Sequence, residues 1–210
     1  MYSLYARAGW GSALVETQLA WYGLPYELEQ VGDLFKEPQA RDQLAPANPV
    51  AQIPTLILPD GTIMTESAAI TLLLAERTGR DDLVPQADTT ERARFLRWLI
   101  FLVANIYPTF TYADDPARFV GGEVGRSTLR AHVDAYAQKL WGILDAEAVG
   151  PWFLGERFSA IDIFIATMTQ WRPQRAWFVA HAPKLAAIAS RADAQPALVE
   201  VWRRNFPSQV

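Results

Sequence analysis

The sequence has no cysteine among its 210 residues. That absence excludes a disulfide framework, a CxxC redox pair, a cysteine nucleophile and a zinc site built on sulfur. Histidine is nearly absent too, since His132 and His181 are the only two and stand far apart in the chain. A histidine metal site does not fit this spacing. We therefore predict no bound metal and expect both residues at the surface or at the edge of the core.

Positive charge and long apolar runs are also in short supply. The chain has 19 basic and 23 acidic side chains, a formal net charge of −4, and no basic stripe of the kind that binds nucleic acid. Apolar runs such as residues 99–104 are too short to span a bilayer, and the N-terminus lacks the pattern of a secretory signal. We predict a cytoplasmic globular protein that binds neither nucleic acid nor membrane.

The first 80 residues alternate between strand-like and helical patterns. Short apolar or alternating runs predict strands, and apolar residues three and four apart predict helices that end at Gly23 and Gly79. Ser12 is the predicted N-cap of the first helix. In order, the predicted elements are strand 2–6, a helix that follows Ser12 and ends at Gly23, strand 26–30, a mixed segment 36–47, a hairpin of 55–58 and 62–64, and helix 67–78. A βαβ unit followed by ββα implies a small mixed sheet covered by helices, which is an α/β thioredoxin-like arrangement.

The rest of the chain shows only helical patterns. Apolar side chains recur at helical spacing over residues 95–106 and 129–144. Ser159 and Asp162 form a predicted capping box just before an apolar run. A polar, proline-containing stretch between the two halves is typical of a linker. The predicted organisation is a thioredoxin-like domain over 1–80, a linker over 81–88 and an all-α domain over 89–210.

Three motifs resemble the hallmark sequences of cytosolic glutathione S-transferases. They are NPVAQIPTL at 48–56, ESAAI at 66–70, and FLG at 153–155 followed by FSAID at 158–162. They occur in the order and at the spacings usual in that family and span nearly the whole chain. The resemblance implies a thioredoxin-like domain followed by an all-α domain, a homodimer and a role in detoxification. It also implies a bacterial-type site that is Ser-like rather than Cys- or Tyr-type.

The resemblance implies a glutathione site around the third predicted strand. In the family, the proline that matches Pro54 is cis, which lets the peptide of the preceding residue, here Ile53, pair with the cysteinyl backbone of glutathione like an added strand. Lys36 stands where some members place a base for the glycyl carboxylate, and Gln52 could reach the same group. The alternatives are that Pro54 only shapes a turn and that Lys36 is merely exposed.

The resemblance assigns the γ-glutamyl end of glutathione to Glu66 and Ser67. Both residues stand at the start of a predicted helix, whose free N–H groups and dipole favour an anion. Ser67 would donate to the α-carboxylate, and Glu66 would face the ammonium group. The alternative is a plain helix cap.

The donor that stabilises the glutathione thiolate follows the first strand in this family. Its usual places in the Tyr-, Ser- and Cys-type classes fall here on Ala6, Trp10 and Gly11, none of which carries the matching side chain. The nearest hydroxyl belongs to Ser12, which we predict to be catalytic together with the N–H groups at the helix start. The alternative is an N-cap whose oxygen is occupied. Tyr5 is a second candidate donor.

An apolar electrophile is the expected second substrate. Aromatic side chains suited to line its site occur in the first long helix of the second half and the loop after it, and in the loop after the first strand. These are Tyr107, Phe110 and Tyr112, facing Trp10, in a cleft that the resemblance places between the two halves. The alternative is that these rings belong to the core.

Other functions fit the same fold. The missing hydroxyls at the usual positions favour a non-catalytic protein that binds glutathione or another ligand, and the fold also hosts glutathione-dependent isomerases and dehalogenases. A glutathione-dependent disulfide reductase is disfavoured because such enzymes use a cysteine. We therefore expect a glutathione S-transferase that takes glutathione as its co-substrate, with non-catalytic binding as the alternative.

Overall fold

The structure is a computed structural model that describes residues 1–207. Its four strands form one mixed sheet in the order β2-β1-β3-β4. They are β1 (Tyr2–Ala6), β2 (Tyr26–Gln30), β3 (Thr55–Ile57) and β4 (Ile63–Met64). β1 runs parallel to β2 and antiparallel to β3, and β3 runs antiparallel to β4. The predicted small mixed sheet is confirmed.

Three helices accompany the sheet. They are α1 (Ser12–Tyr22), α2 (Pro38–Leu44) and α3 (Ser67–Thr78). α1 and α3 pack together, and Gln18 Nε2 donates to Thr71 Oγ1 across their contact at 3.0 Å. Both helices end at a glycine with positive φ, 66° at Gly23 and 64° at Gly79, where a side chain would strain the backbone. Both predicted helix ends are confirmed.

The core of this part lies between the sheet and its helices. Leu4 and Leu56 contribute from the sheet, and Leu14 and Ile70 contribute from α1 and α3; all four side chains are fully buried. Burial of one such aliphatic side chain stabilises the fold by roughly 1.5–3 kcal/mol. The sheet, α1 and α3 are therefore held together by one well-packed core.

The remaining described elements are helical, apart from one isolated bridge between Trp152 and Gly155. They are α4 (Thr90–Phe101), a π-helical turn (Leu102–Ile106), α5 (Tyr107–Asp114), α6 (Glu123–Glu147), α7 (Ala160–Met168), α8 (Arg175–His181), α9 (Pro183–Asp193) and α10 (Val199–Asn205), with 3₁₀ turns at Pro116–Arg118 and Pro196–Leu198. The predicted all-helical character is confirmed. None of the helices in residues 1–207 is long and apolar enough to cross a membrane.

The helical pattern over residues 95–106 divides into two elements. The N–H of Tyr107 bonds to the carbonyl of Leu102, five residues back, which widens the turn. Pro108 follows and has no N–H to donate to the carbonyl four residues earlier, so the regular ladder cannot continue through it. The chain therefore leaves α4 through a π-helical turn and re-enters regular helix as α5.

The predicted capping box at the start of α7 is confirmed. The Asp162 carboxylate accepts hydrogen bonds from the Ser159 backbone N–H at 2.8 Å and from Ser159 Oγ at 3.0 Å. It also accepts the N–H of Phe153 at 2.8 Å, so it ties the preceding loop to the helix. Burial raises the pKa of this carboxyl to about 6, against the opposing effect of these hydrogen bonds.

The chain divides into two compact units. One comprises Met1–Val84 together with the stretch that begins at Arg191, and the other is Pro85–Ser190. The stretch from Arg191 includes α10, whose Asn205 bonds to Gly9 in the loop after β1. No periodicity in the sequence predicts this return, because a contact between residues so far apart leaves no local pattern. The domain limits of the sequence analysis stay a prediction.

Candidate functional site

Four of the predicted glutathione residues, Ile53, Pro54, Glu66 and Ser67, come together at the sheet edge formed by the carboxyl end of β1 and the start of β3. The β1–β3 register ends at Tyr5 opposite Thr55, and the β3–β4 register ends at Leu56 opposite Met64. Continued by one or two residues, these registers bring Pro54 beside the end of β1 on one side and beside the start of α3 on the other. The helix starts of α1 and α3 thus lie at the same edge as the beginning of β3.

Asn48 organises the turn that leads into β3. Its Nδ2 donates to the Gln52 carbonyl at 2.9 Å and contacts Thr55 Oγ1 at 3.1 Å, while its Oδ1 accepts the Val50 N–H at 3.1 Å. The Ile53–Pro54 peptide is cis, as the family resemblance implied. Asn48 belongs to the NPVAQIPTL motif, but its role could not be predicted from the sequence because its three contacts depend on the folded turn.

The start of α3 presents two polar side chains with different environments. Glu66 is exposed and has a positive φ of 64°, unusual for a residue with a side chain. Ser67 is only 5% exposed and is the first helical residue. Within residues 1–207, neither the Glu66 carboxylate nor Ser67 Oγ has a hydrogen-bond partner. Their carbonyls are bonded: that of Glu66 accepts the Ile70 N–H at 3.0 Å, and that of Ser67 accepts from Thr71 Oγ1 at 2.8 Å.

Lys36 and Gln52 are both exposed. Their backbones are held: the Lys36 N–H donates to Asp33 Oδ1 at 3.1 Å, and the Gln52 carbonyl accepts from Asn48 and from Thr55 Oγ1. Their side chains make no hydrogen bond or ion pair in the described part of the chain. Each is therefore available to an external anion.

Ser12 lies at the same edge but is entirely buried. Its Oγ accepts the Arg7 N–H and donates to the Arg7 carbonyl, both at 3.1 Å. The predicted N-cap at Ser12 is wrong: Gly11 is the N-cap, with helical φ and ψ of −57° and −21°. Because the helical conformation begins one residue earlier, the Ser12 hydroxyl turns back to Arg7 instead of capping α1.

Tyr5 and Trp10 pack against a buried apolar cluster that joins β1, α2 and the turn before β3. The cluster consists of Leu34, Ala40, Leu44 and Ile53. The Trp10 ring also lies 4.9 Å from the Phe35 ring, and the Arg7 guanidinium lies 5.3 Å above it. Arg7 in turn pairs with Asp33 at 3.4 Å. These contacts fix the loop between β1 and α1 from the side of α2.

The aromatic residues predicted for the electrophile fall into two groups in the second unit. Tyr107 stacks on Trp171 with ring centroids 5.6 Å apart, and Phe110 meets the same indole edge-on at 5.0 Å. Tyr112 points to another face of α5 and packs edge-on against Phe119. Trp171 was not predicted as part of this group, because it follows α7 in an irregular segment that has no periodicity.

The part of the chain that the structure describes has no cluster of side chains suited to bind a metal ion. No group of three or more His, Asp or Glu side chains there could hold an ion. The polar candidate residues Lys36, Glu66, Gln52 and Ser67 instead combine one cation, one anion, an amide and a hydroxyl. Such a set suits a flexible zwitterionic ligand that carries carboxylates and an ammonium group.

Comparison with known proteins identifies relatives along the whole chain. Residues 15–77 match the family described as glutathione S-transferase, N-terminal domain. A protein of Escherichia coli K12 described as the uncharacterized GST-like protein YncG is 37% identical over 206 residues, which is 98% of each chain.

Solved structures agree with this relationship. A glutathione transferase from Methylococcus capsulatus is 28% identical, with a TM-score of 0.76 over 97% of this chain and 98% of its own. A glutathione transferase homologue from Sulfitobacter, solved with bound glutathione, is 23% identical and shares the fold with a TM-score of 0.85 over 96% of each chain.

Proposed function

Because the chain belongs to the glutathione S-transferase family, we propose that it binds glutathione at the sheet edge and delivers the thiolate to an apolar electrophile. The thiolate is the nucleophile in such a transfer. A free thiol has a pKa of about 8.5, so only a few per cent is ionised at neutral pH. The protein's task is therefore to hold glutathione and to favour its ionised form.

Ser67 carries the proposal. The residue is only 5% exposed, yet its Oγ has no hydrogen-bond partner within residues 1–207 and stays accessible to a ligand. It stands at the N-terminus of α3, where free N–H groups and the helix dipole favour an anion. A ligand α-carboxylate supplies the acceptor that Ser67 lacks. The exposed Glu66 carboxylate beside it suits the ammonium of the same γ-glutamyl group.

The rest of glutathione extends along the start of β3. Ile53 lies beyond the last paired residues of that strand, so its peptide can pair with an extended ligand backbone in the manner of an added strand. Pro54 holds that peptide in position. The glycyl carboxylate then meets Lys36 and Gln52, whose side chains have no partner in the described chain. Together these contacts match both ends of the ligand and its middle.

The thiolate is assigned to the start of α1. The N–H groups of Gly11 and Ser12 have no carbonyl partner within the helix and lie at its positive end. The Ser12 hydroxyl holds the loop by its two bonds to Arg7 and contributes by keeping these N–H groups in place. A charge-assisted hydrogen bond contributes about 1.5–3 kcal/mol, which lowers a thiol pKa by roughly one to two units.

The electrophile is assigned to aromatic surface. Tyr107 and Trp171, both half-buried, form a stacked pair in the second unit that suits a planar apolar group, with Phe110 buried against the same indole and Tyr112 on the neighbouring face. Trp10 is a separate candidate in the first unit. A homodimer, a cytoplasmic location and a role in detoxification belong to the same proposal, supported by the family resemblance.

The test is calorimetric titration of glutathione into the Ser67→Ala variant. We expect a dissociation constant about 10- to 100-fold larger than that of the unmutated protein, because a hydrogen bond to a charged group contributes about 1.5–3 kcal/mol. Ser127→Ala is the matched control, since Ser127 lies exposed on α6 and its Oγ bonds, among residues 1–207, only to the Val124 carbonyl. Equal affinities for both variants would contradict the proposed site.

Non-catalytic glutathione binding is the second candidate function. One observation favours it: the Ser12 hydroxyl gives its proton to the Arg7 carbonyl, so no side-chain hydroxyl in the β1–α1 loop is free for the sulfur. The conjugation rate with an activated chloroarene separates the two functions. A protein that binds glutathione but shows no rate above the uncatalysed reaction with any of several electrophiles belongs to the second class.

A further inference from the structure

Asn205, the last residue of α10, is buried and connects three parts of the first unit. Its Oδ1 accepts the Gly9 N–H at 3.1 Å. Its Nδ2 donates to Glu16 Oε2 at 2.8 Å and to the Val201 carbonyl at 3.0 Å. A side-chain amide is suited to this place because it offers an acceptor and two donors on one rigid plane.

Gly9 meets α10 at backbone distance. It has a φ of 78°, and a Cβ at this position would lie 3.2 Å from the Asn205 carbonyl oxygen. Both the conformation and the space therefore require glycine. The loop that starts α1 is fitted closely to the end of the C-terminal helix, although the two are separated by nearly the whole chain.

Glu16 completes the connection from inside α1. It is 1% exposed, and its carboxylate accepts from Asn205, pairs with Arg204 at 3.3 Å and lies 3.4 Å from the Tyr26 hydroxyl. Burial raises the pKa of this carboxyl, while the Asn205 hydrogen bond and the Arg204 charge lower it. An ionisable group so deeply buried is costly without partners, so its partners on α10 are part of the same arrangement.

We propose that α10 is a latch for the loop between β1 and α1, and that Asn205 is a positioning residue for the site at the start of α1. The loop is held at two points, by Ser12 at Arg7 and by Asn205 at Gly9. The Gly11 N–H lies in the chain between the two held residues, Gly9 and Ser12, and the Ser12 N–H belongs to the second of them. These are the two N–H groups assigned to the thiolate in the proposed function, on which this inference rests. Holding these groups in advance is what makes such donors effective.

The first readout needs no ligand. In Asn205→Ala, hydrogen exchange at the Gly9 amide is expected to be roughly five- to tenfold faster, since that amide loses one ordinary hydrogen bond. Arg203→Ala is the matched control on the same helix, because Arg203 is exposed and, in the part of the chain that the structure describes, pairs only with Glu200. Gly9 exchange equal to that of the unmutated protein would overturn the latch.

The second readout is the pKa of the bound glutathione thiol, followed by thiolate absorbance against pH at saturating glutathione. In Asn205→Ala we expect a higher thiol pKa and a conjugation rate about two- to fivefold lower, with little change in the affinity for glutathione. A faster Gly9 exchange with an unchanged thiol pKa would also overturn the proposal. If the unmutated protein does not bind glutathione, the proposed function fails, while the Gly9 measurement still tests the latch.

A double exchange guards against variants that fold poorly. Asn205→Asp alone places a second carboxylate beside Glu16, and we expect it to loosen Gly9. Adding Glu16→Gln reverses the direction of the hydrogen bond between the two positions, so this pair again has one donor and one acceptor while the Gly9 N–H keeps an acceptor; only the bond to the Val201 carbonyl stays lost. Recovery of Gly9 protection and of the thiol pKa in the double variant supports the latch, and no recovery contradicts it.

Discussion

At the scale of single residues, two buried serines at one sheet edge differ in whether their hydroxyl groups are hydrogen-bonded. Ser12 and Ser67 both begin a helix and are both nearly or fully buried. The Ser12 hydroxyl donates to the Arg7 carbonyl and accepts the Arg7 N–H, whereas Ser67 Oγ has no partner in residues 1–207. The chemistry available to a ligand therefore differs, although residue type and helix position are the same.

Ser12→Ala tests which role that hydroxyl has. The Arg7 N–H loses its acceptor, whereas the Arg7 carbonyl keeps the Trp10 N–H, so we expect a stability loss of about 1–3 kcal/mol by urea unfolding. The pKa of the bound glutathione thiol should rise by well under one unit if Ser12 only holds the loop. A direct donor would cost one to two units, which corresponds to a charge-assisted bond of about 1.5–3 kcal/mol.

A rise of one to two units in that pKa would therefore restore Ser12 as the thiolate donor of the sequence analysis. Ser127→Ala on α6 again serves as the control, and neither quantity should move in it. A stability loss without any change in conjugation rate would place Ser12 wholly in the framework of the fold.

The candidate site could be predicted only as far as local spacing reaches. The motif residues Ile53, Pro54, Glu66 and Ser67 were named from contiguous sequence, and the structure gathers them because neighbouring strands bring them together. Their roles toward glutathione stay a prediction. The direction of the Ser12 hydroxyl could not be predicted, since it depends on the path of the Arg7 backbone in the folded loop.

At the scale of elements, helix starts and stops were predictable where the signal is local. The α7 capping box consists of residues three apart, and α1 and α3 end at glycines that adopt positive φ. The π-helical turn before α5 was not predicted, because apolar spacing is almost the same in α- and π-helix over one turn. Helix α8 was missed because seven residues give too short a pattern to recognise.

The carboxyl of Asp162 at the start of α7 gives a pH-dependent contribution to stability. Its pKa is about 6 in the folded chain, because of burial, and about 3.9 in an unfolded one. Between these values the folded state binds more protons, so the contribution of this group to the free energy of unfolding falls as the pH rises from 4 to 6. The decrease is on the order of 3 kcal/mol.

Asp162→Asn isolates that effect. The substitution cannot titrate and sets an amide donor against the Ser159 N–H, so we expect lower stability than the unmutated protein at every pH. The difference between the two proteins, measured by urea unfolding at pH 4.5 and at pH 7, should shrink at the higher pH. A difference that grows with pH would show that the folded carboxyl has a lowered pKa instead.

At the scale of the whole molecule, the order of elements was predictable and the return of the chain end was not. A βαβ-ββα order permits few arrangements, and the observed sheet is one of them. By contrast, α10 joins the first compact unit because its Asn205 and Arg204 bond to Glu16 of α1. No motif or periodicity distinguishes these three polar residues in the sequence. Single buried polar pairs between distant segments follow from the completed fold and carry no periodic signal.

Glutathione should stabilise the molecule by mass action. The residues proposed to bind it all lie in the unit that contains Met1–Val84, so the thermal transition of that unit should move. At a free glutathione concentration of about 100 times Kd, the gain is about 2.7 kcal/mol. A gain of that size raises Tm by roughly 5–10 °C for a chain of this length.

With Ser67→Ala and affinity tenfold lower, the same glutathione concentration stabilises the fold by about 1.4 kcal/mol and gives about half the shift in Tm. An equal shift in both proteins would mean that glutathione binds elsewhere, and no shift in either would remove the ligand from the proposal altogether.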